Sequence, residues 1–154
     1  MPDTDPLGPI GSKTGYILHR TDVLLLQHLQ DLLDDIGLTP ARATAIALVV
    51  NSPGIGQTDL ARVLGIKRAA ATQMIDWLEN IGALERVEGS DRRSKDLMPT
   101  QRGRDLCARF EKAAETVDGI IADCLEEDER AEFDRLLAKV ERAAKARPAD
   151  DRPD

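Results

Sequence analysis

Two short helical patterns joined by a single glycine constrain this chain most, in the stretch DLARVLGIKRAAATQMIDWLENIGALER. The first pattern predicts a helix over about Gln57 to Leu64, and the second predicts one over roughly Lys67 to Ile81. Gly65 lies between them, where a sharp change of direction needs the backbone freedom of glycine. The apolar residues of this stretch would share one small core: Leu60, Ala61, Leu64, Ile66, Ala71, Met74, Ile75 and Leu78.

Two further helices are predicted before this pair. The first runs from Thr14 to Ile36, is ended by Gly37, and has apolar residues on more than one side: Ile17, Leu18, Leu24, Leu25, Leu29, Leu32, Leu33 and Ile36. A helix this apolar either threads the core of a monomer or packs against another chain. In the second, Thr39-Pro40 has the residue types that begin a helix, and the pattern continues to about Val50.

A β-hairpin is predicted after the helix pair. Two short extended runs, Leu84 to Glu88 and Lys95 to Met98, flank a tight turn. Pro99 has no N–H group to donate, so the second strand is expected to end before it. Residues 54–56 are interpreted as a turn rather than as a phosphate-binding loop.

Long helices and flexible ends account for the remaining residues. Thr100 can cap a helix over about Gln101 to Leu125, and a last helix is predicted over about Glu127 to Lys145. The second of these begins with an acidic turn, which the helix dipole favours. Residues 1–13 are rich in proline and glycine and predict a flexible arm, while residues 147–154 predict a flexible tail.

Charge is unevenly distributed along the sequence. The whole chain has a formal net charge of −7, yet residues 57–104 hold nine Arg and Lys against seven Asp and Glu. Arg92, Arg93 and Lys95 lie together at the hairpin turn, within GSDRRSKDLMPTQRG. Such a basic turn is either a solvated loop or a contact to a polyanion.

Helix, short helix, glycine turn, helix and hairpin follow each other in the order of a winged helix-turn-helix. The predicted fold class is therefore mainly α, with a winged helix-turn-helix lobe and a small β-hairpin wing. The second helix of the pair would leave an outer face exposed, formed by Arg68, Ala69, Thr72, Gln73 and Asp76. A helix of this kind can lie in the major groove of DNA, with its N-terminal residues nearest the base edges.

Residues 38–106 resemble the MarR family of bacterial transcription regulators. The central pattern is LTPARATAIALVVNSPGIGQTDLARVLGIKRAAATQMIDWLENIGALERV, and SDRRSKDLMPTQRG matches the wing, with a D-x-R signature at Asp91 and Arg93. Trp77 stands where the family usually has Arg or Lys. The resemblance implies a homodimer in which helices 14–36 and 101–146 are dimerisation helices and residues 38–100 form the DNA-binding lobe.

The resemblance also implies a function and a set of DNA-binding residues. It predicts a sequence-specific, ligand-responsive transcriptional repressor that binds a pseudo-palindromic operator in double-stranded DNA and that a small aromatic or phenolic effector releases. The residues that would contact DNA or shape the wing are Lys67, Arg68, Ala69, Thr72, Gln73, Asp91, Arg92, Arg93 and Lys95.

Tyr16, His19 and Arg20 form a candidate effector site on the first helix. A stacking ring, a titratable donor and a fixed cation suit an aromatic carboxylate or its thioester. The alternative is an ordinary surface or interface cluster. His19 and His28 lie nearly opposite each other around the helix, so we predict no metal site, and we predict no cofactor.

The alternatives to a ligand-responsive DNA-binding regulator are an enzyme, an adaptor for protein contacts and a redox-responsive regulator. We find no nucleophile–base pair and no metal-ligand spacing, so we predict that the chain is not an enzyme. A winged-helix adaptor for protein contacts is one alternative, and a regulator with a redox-active thiol at Cys107 or Cys124 is another, although buried, inert cysteines are expected. With no run of 18 apolar residues and no signal-peptide pattern, we expect a cytoplasmic protein that does not enter a membrane.

Overall fold

The computed structural model describes residues 7–89 and 95–146 and is mainly helical. Its elements in chain order are α1 (Thr14–Leu33), α2 (Pro40–Asn51), β1 (Ile55–Gly56), α3 (Gln57–Leu64), α4 (Arg68–Asn80), β2 (Leu84–Glu88), β3 (Lys95–Pro99), α5 (Gln101–Cys124) and α6 (Glu127–Ala146). The predicted fold class is confirmed. By its contacts the chain divides into two compact units, one ending at Ala114 and the other beginning at Glu115.

The N-terminal segment has more regular structure than the sequence indicated. A 3-10 helix spans Gly8–Ile10, inside the segment predicted as a flexible arm, and residues 1–6 lie outside the described part of the chain. The first long helix ends as α1 at Leu33 and is followed by a 3-10 turn at Asp34–Ile36. Helices often tighten in this way at their last turn, and Gly37, in the left-handed region with φ of 66°, then reverses the chain.

The core of the first unit lies where α2, α3, α4 and the sheet meet. Thr39 caps α2 by accepting a hydrogen bond from the Arg42 N–H, with Pro40 as the first helical residue, as predicted. Gly65 turns the chain between α3 and α4 with φ of 65°. The fully or almost fully buried side chains of this core are Leu33, Leu38, Ala43, Ala45, Ile46, Val49, Leu60, Ala71, Ile75, Leu78, Ala83, Leu84, Leu97 and Cys107.

The apolar side chains of α1 divide into buried and exposed ones. Leu18 and Leu32 are exposed in the chain, whereas Leu33 is completely buried. Leu33 lies at the end of α1, where the chain turns into the lobe, and its carbonyl accepts the N–H of buried Leu38. Most of α1 therefore keeps its apolar side chains outside the core of this chain, because only its C-terminal end meets the lobe core.

The sheet has three strands where the sequence predicted two. Ile55 pairs with Leu97 and Gly56 with Asp96, so the segment interpreted as a turn is a strand on the outer side of the hairpin, and the order is β1-β3-β2. Two residues are too short for a hydrophobic pattern to signal a strand.

The expectation that the second hairpin strand stops before Pro99 is also wrong. Pro99 pairs with Leu84, and the next residue, Thr100, donates its N–H to the Ala83 carbonyl at 3.2 Å. Residues opposite each other in an antiparallel pair alternate between bonded and non-bonded positions. Pro99 occupies a non-bonded position toward β2, so its missing N–H removes no bond to that strand.

The start of α5 is held against the turn that follows α4. The Thr100 hydroxyl donates to the Gly82 carbonyl at 2.6 Å and accepts from the Gly103 N–H at 3.1 Å. Gly103 is buried, and a Cβ there would overlap the Ala83 carbonyl oxygen. The two backbones approach so closely because residue 103 has no side chain, so the turn after α4 and the start of α5 are in direct contact.

The second unit contains the C-terminal part of α5 and α6. Arg130 on α6 forms an ion pair and hydrogen bond with Asp118 on α5. The first turn of α6 holds Glu127, Asp128 and Glu129, as predicted. Leu136 and Val140 remain exposed on α6, so its apolar stripe is only partly covered within the chain.

We predict that Gly103→Ala lowers the free energy of unfolding by about 1–3 kcal/mol, because the new methyl group must displace the Ala83 backbone. Gly119→Ala is the matched control on the same helix, since a Cβ there meets nothing within 4 Å. That control should be stabilising by up to about 1 kcal/mol, because alanine has the higher helix propensity. Urea denaturation followed by circular dichroism measures both, and equal effects at the two positions would contradict the close approach.

Candidate nucleic-acid interface

Helix α4 has one buried face and one exposed face. Ala71, Ile75 and Leu78 have no exposed surface and anchor the helix to the lobe. Lys67, at the N-cap, is exposed together with Arg68, Ala69 and Gln73, as the sequence predicted. The N-cap makes no side-chain hydrogen bond to the first turn, and Lys67 and Arg68 place two exposed cations at the start of α4.

Thr72 is less free to contact a ligand than the sequence suggested. Its hydroxyl donates to the Arg68 carbonyl at 3.0 Å and accepts from the Gln57 amide at 2.6 Å. The side chain is half-buried and connects the first residue of α3 to the middle of α4. Gln57 was missed by sequence reasoning, although a polar residue at the first position of the preceding helix is a recognisable signal.

Arg86 joins the hairpin to α4 through two ion pairs. From β2 it reaches Asp76 at 2.5 Å and also binds Glu79. The hydrogen bond to Asp76, opposed in part by burial, raises the pKa of the Arg86 guanidinium above its ordinary value. Asp76 is exposed, as the outward face of the helix predicted, and its carboxylate is bound by Arg86.

Trp77 connects α4 to α2. Its half-buried ring lies beneath the Arg42 guanidinium, whose Cζ is 3.7 Å from the ring centroid. A guanidinium at this distance is attracted by the negative face of the indole. Trp77 is therefore a partly buried packing residue, and its aromatic ring holds a cation from another helix.

The hairpin places one predicted DNA contact at its edge. Lys95 is exposed at the start of β3, opposite Glu88. The other wing residues, Asp91, Arg92 and Arg93, lie outside the described residues, and their roles stay predictions.

The candidate effector residues all lie near the start of α1. The rings of Tyr16 and His19 are 6.1 Å apart at an angle of 59°, with Tyr16 half-buried and His19 exposed. Arg20 follows on the same helix and is also exposed. A separate apolar cavity of about 230 Å³ lies between α2 and the helix pair, lined by Ala41, Thr44, Leu64, Ile66 and Met74. Within residues 7–89 and 95–146, no three metal-ligating side chains come together.

Known proteins share both the sequence and the fold of this chain. The MarR family model matches residues 38–95. The HTH-type transcriptional repressor Rv2887 of Mycobacterium tuberculosis is 30% identical over 127 residues, which is 82% of this chain and 91% of that one. The chain belongs to the MarR family.

Two solved structures of the transcriptional repressor CouR extend the comparison. CouR bound to a 23-mer DNA duplex has a TM-score of 0.80 at 32% identity, covering 88% of this chain and 97% of that one. CouR bound to p-coumaroyl-CoA has a TM-score of 0.76 at 29% identity, covering 88% and 96%. Rv2887 with salicylic acid has a TM-score of 0.68 at 29% identity, covering 84% and 96%.

Membership of the MarR family confirms the prediction of a ligand-responsive, DNA-binding transcriptional regulator. These relatives are named as repressors and not as enzymes. In the part of the chain that the structure describes, no helix is both long and apolar enough to cross a membrane.

The two cysteines of this MarR family member have different surroundings. Cys107 is buried as expected, and burial, together with its hydrogen bond to Glu111, raises the pKa of the thiol to about 11. Cys124 is exposed, so the expectation that both are buried is wrong for this residue. Cys124 lies at the last residue of α5, where its Sγ donates to the Ile121 carbonyl at 3.4 Å.

We predict that Cys107 stays unreactive toward a thiol reagent such as DTNB at about pH 8, because the thiolate is the nucleophile and forms only near pH 11. The rapidly labelled thiol should be Cys124. Raising the pH toward 11 should accelerate labelling of Cys107 in the folded protein. A rapidly reacting thiol in the folded Cys124→Ser variant at about pH 8 would contradict this assignment.

Proposed function

We propose that the chain is a repressor that binds a pseudo-palindromic operator as a homodimer, with α4 of each copy in a major groove. The observation that carries this proposal is the division of α4 into a fully buried face and an exposed face that begins with Lys67 and Arg68. Two copies related by a two-fold axis would present these faces to half-sites about 10 base pairs apart, one turn of the duplex.

Direct readout would come from the N-terminal half of α4. Arg68 has the bidentate geometry that suits guanine, and Gln73 suits adenine or a phosphate. Ala69 is exposed and small, so the helix backbone can approach the base edges closely. The basic segment that includes Lys95, at the edge of the hairpin, and Arg92 and Arg93, which precede it in the sequence, would contact the flanking minor groove or its phosphates.

Homodimer formation is supported by the apolar surface of α1. Leu24 is 55% exposed, and the other exposed apolar side chains of this helix are Ile17, Leu18, Val23, Leu26 and Leu32. Soluble monomers rarely leave so many large apolar residues uncovered on one element. Leu136 and Val140 on α6 add a smaller exposed set. A regulator of bacterial genes acts where the DNA is, so we place the protein in the cytoplasm.

The effector that we propose is an aromatic carboxylate or its thioester. CouR is known with p-coumaroyl-CoA and Rv2887 with salicylic acid, and both ligands belong to this class. Tyr16 and His19 place two rings side by side, and Arg20 adds a cation on the same helix. A bound effector would favour a dimer in which the spacing of the two α4 helices no longer fits the operator.

We predict that Lys67→Ala and Arg68→Ala each weaken operator binding by about 10-fold or more, because each removes one cation that would contact the DNA. Each should also lower the slope of log affinity against log salt concentration by about 1. Arg135→Ala is the control, since Arg135 is an exposed cation on α6 that pairs with Glu132. Fluorescence anisotropy with fragments from upstream of the gene measures affinity, and light scattering should give two chains per site.

Two outcomes would contradict this function. If the wild-type protein binds no upstream fragment in a salt-sensitive way at micromolar concentration, the chain is not a repressor of this kind. If the wild type binds but the Lys67 and Arg68 variants behave like Arg135→Ala, the start of α4 does not contact the DNA.

We predict that Arg20→Met weakens the response to the effector by about 10-fold or more, because the carboxylate or phosphate of the ligand loses a charge-assisted hydrogen bond. The affinity of the Arg20→Met variant for DNA in the absence of effector should equal that of the wild type. Salicylate and p-coumaroyl-CoA are the probes, titrated against the preformed protein–DNA complex. His28→Gln is the control on the same helix, and equal responses in both variants would remove Arg20 from the effector site.

A further inference from the structure

We propose that Arg86 sets the DNA affinity of the lobe by neutralising carboxylates that α4 would otherwise present to DNA. This inference rests on the proposed function, since it assumes that the exposed face of α4 meets DNA. Arg86 does not belong to the predicted DNA-binding set, and it would act without contacting DNA, through the two side chains that it holds.

The position of Arg86 allows one side chain to serve two acids. It extends from β2, and one terminal nitrogen binds Asp76 while the other binds Glu79. These two acids are three residues apart on α4. Its side chain is only 20% exposed, so the guanidinium is held between the strand and the helix. The arrangement uses the fork geometry of arginine, which a lysine ammonium does not reproduce.

Asp76 lies on the DNA-facing side of the helix. Arg68, Thr72 and Asp76 follow each other at intervals of four residues and so line one face of α4. The Asp76 side chain is 59% exposed and that of Glu79 is 40% exposed, so neither carboxylate is shielded by burial. Phosphates arriving at this face would meet both negative charges at short range.

The charge balance of α4 makes these carboxylates important. Between Arg68 and Asn80 the helix carries one cation, Arg68, and two anions. The positive charge of Arg86 neutralises that excess of negative charge on α4. This matters in a protein whose net charge is already −7. Because the Asp76 and Glu79 carboxylates remain exposed, the neutralisation of their charge is expected to affect binding to a polyanion.

A geometric role is the competing explanation. The same ion pairs tie β2 to α4 and could fix the angle of the wing, in which case loss of Arg86 would misplace the hairpin. The two explanations predict different DNA affinities for a variant that lacks the arginine and both carboxylates. If Arg86 acts by neutralising charge, this variant recovers the affinity of the wild type. If Arg86 acts by fixing the wing, the affinity stays low.

The experiment compares four proteins: the wild type, Arg86→Met, the double variant Asp76→Asn with Glu79→Gln, and the triple variant that combines all three changes. Affinity for one upstream operator fragment is measured by anisotropy over a range of salt concentrations. Arg86→Met should bind about 10-fold more weakly or worse, most strongly at low salt, and the triple variant should return to within about 3-fold of the wild type. The double variant should bind at least as tightly as the wild type.

Arg86→Lys keeps the positive charge but loses the forked guanidinium that binds both carboxylates. It provides a second variant if Arg86→Met does not fold. It should retain most of the affinity if charge decides and lose it if the bidentate geometry decides. A triple variant as weak as Arg86→Met, or an Arg86→Met protein as tight as the wild type, would overturn the proposal. Failure of the wild type itself to bind would refute the proposed function instead, so the two failures are distinguishable.

Discussion

The burial of one face of α4 is the interaction on which the rest of the structure depends. Ala71, Ile75 and Leu78 lose all contact with solvent against α2, α3 and the sheet. Burying these side chains contributes free energy in proportion to the apolar area removed from water. Because a helix that is anchored along one side must expose the other, the same burial presents Lys67, Arg68 and Gln73 to an incoming ligand.

Two local junctions keep this helix in place relative to its neighbours. At its C-terminal end, Thr100 and Gly103 bind α5 directly to the turn at Gly82 and Ala83. Along its length, Trp77 stacks with Arg42 from α2. These contacts fix α4 against α5 at one end and against α2 along its length.

Charge in this protein is organised locally, because the chain as a whole is acidic. The exposed cations at the start of α4 lie on the proposed reading face, while the acids farther along the helix are bound by Arg86. Cys107 is removed from chemistry by burial, which keeps its thiol protonated at neutral pH. The alternative of a redox-active thiol therefore rests on exposed Cys124 alone.

The sequence by itself determined the helices, the glycine turn and the family, because each depends on short-range patterns. The spacing of Leu60, Ala71, Ile75 and Leu78 predicted the buried face, and Gly65 predicted the turn. Only the tertiary structure decided the strand at Ile55–Gly56, the burial of Leu33 and the partners of Thr72 and Arg86. These features depend on residues that are distant in the chain but adjacent in the fold. A periodic pattern records which face of an element is apolar, but it does not record which neighbour that face or a polar side chain will meet.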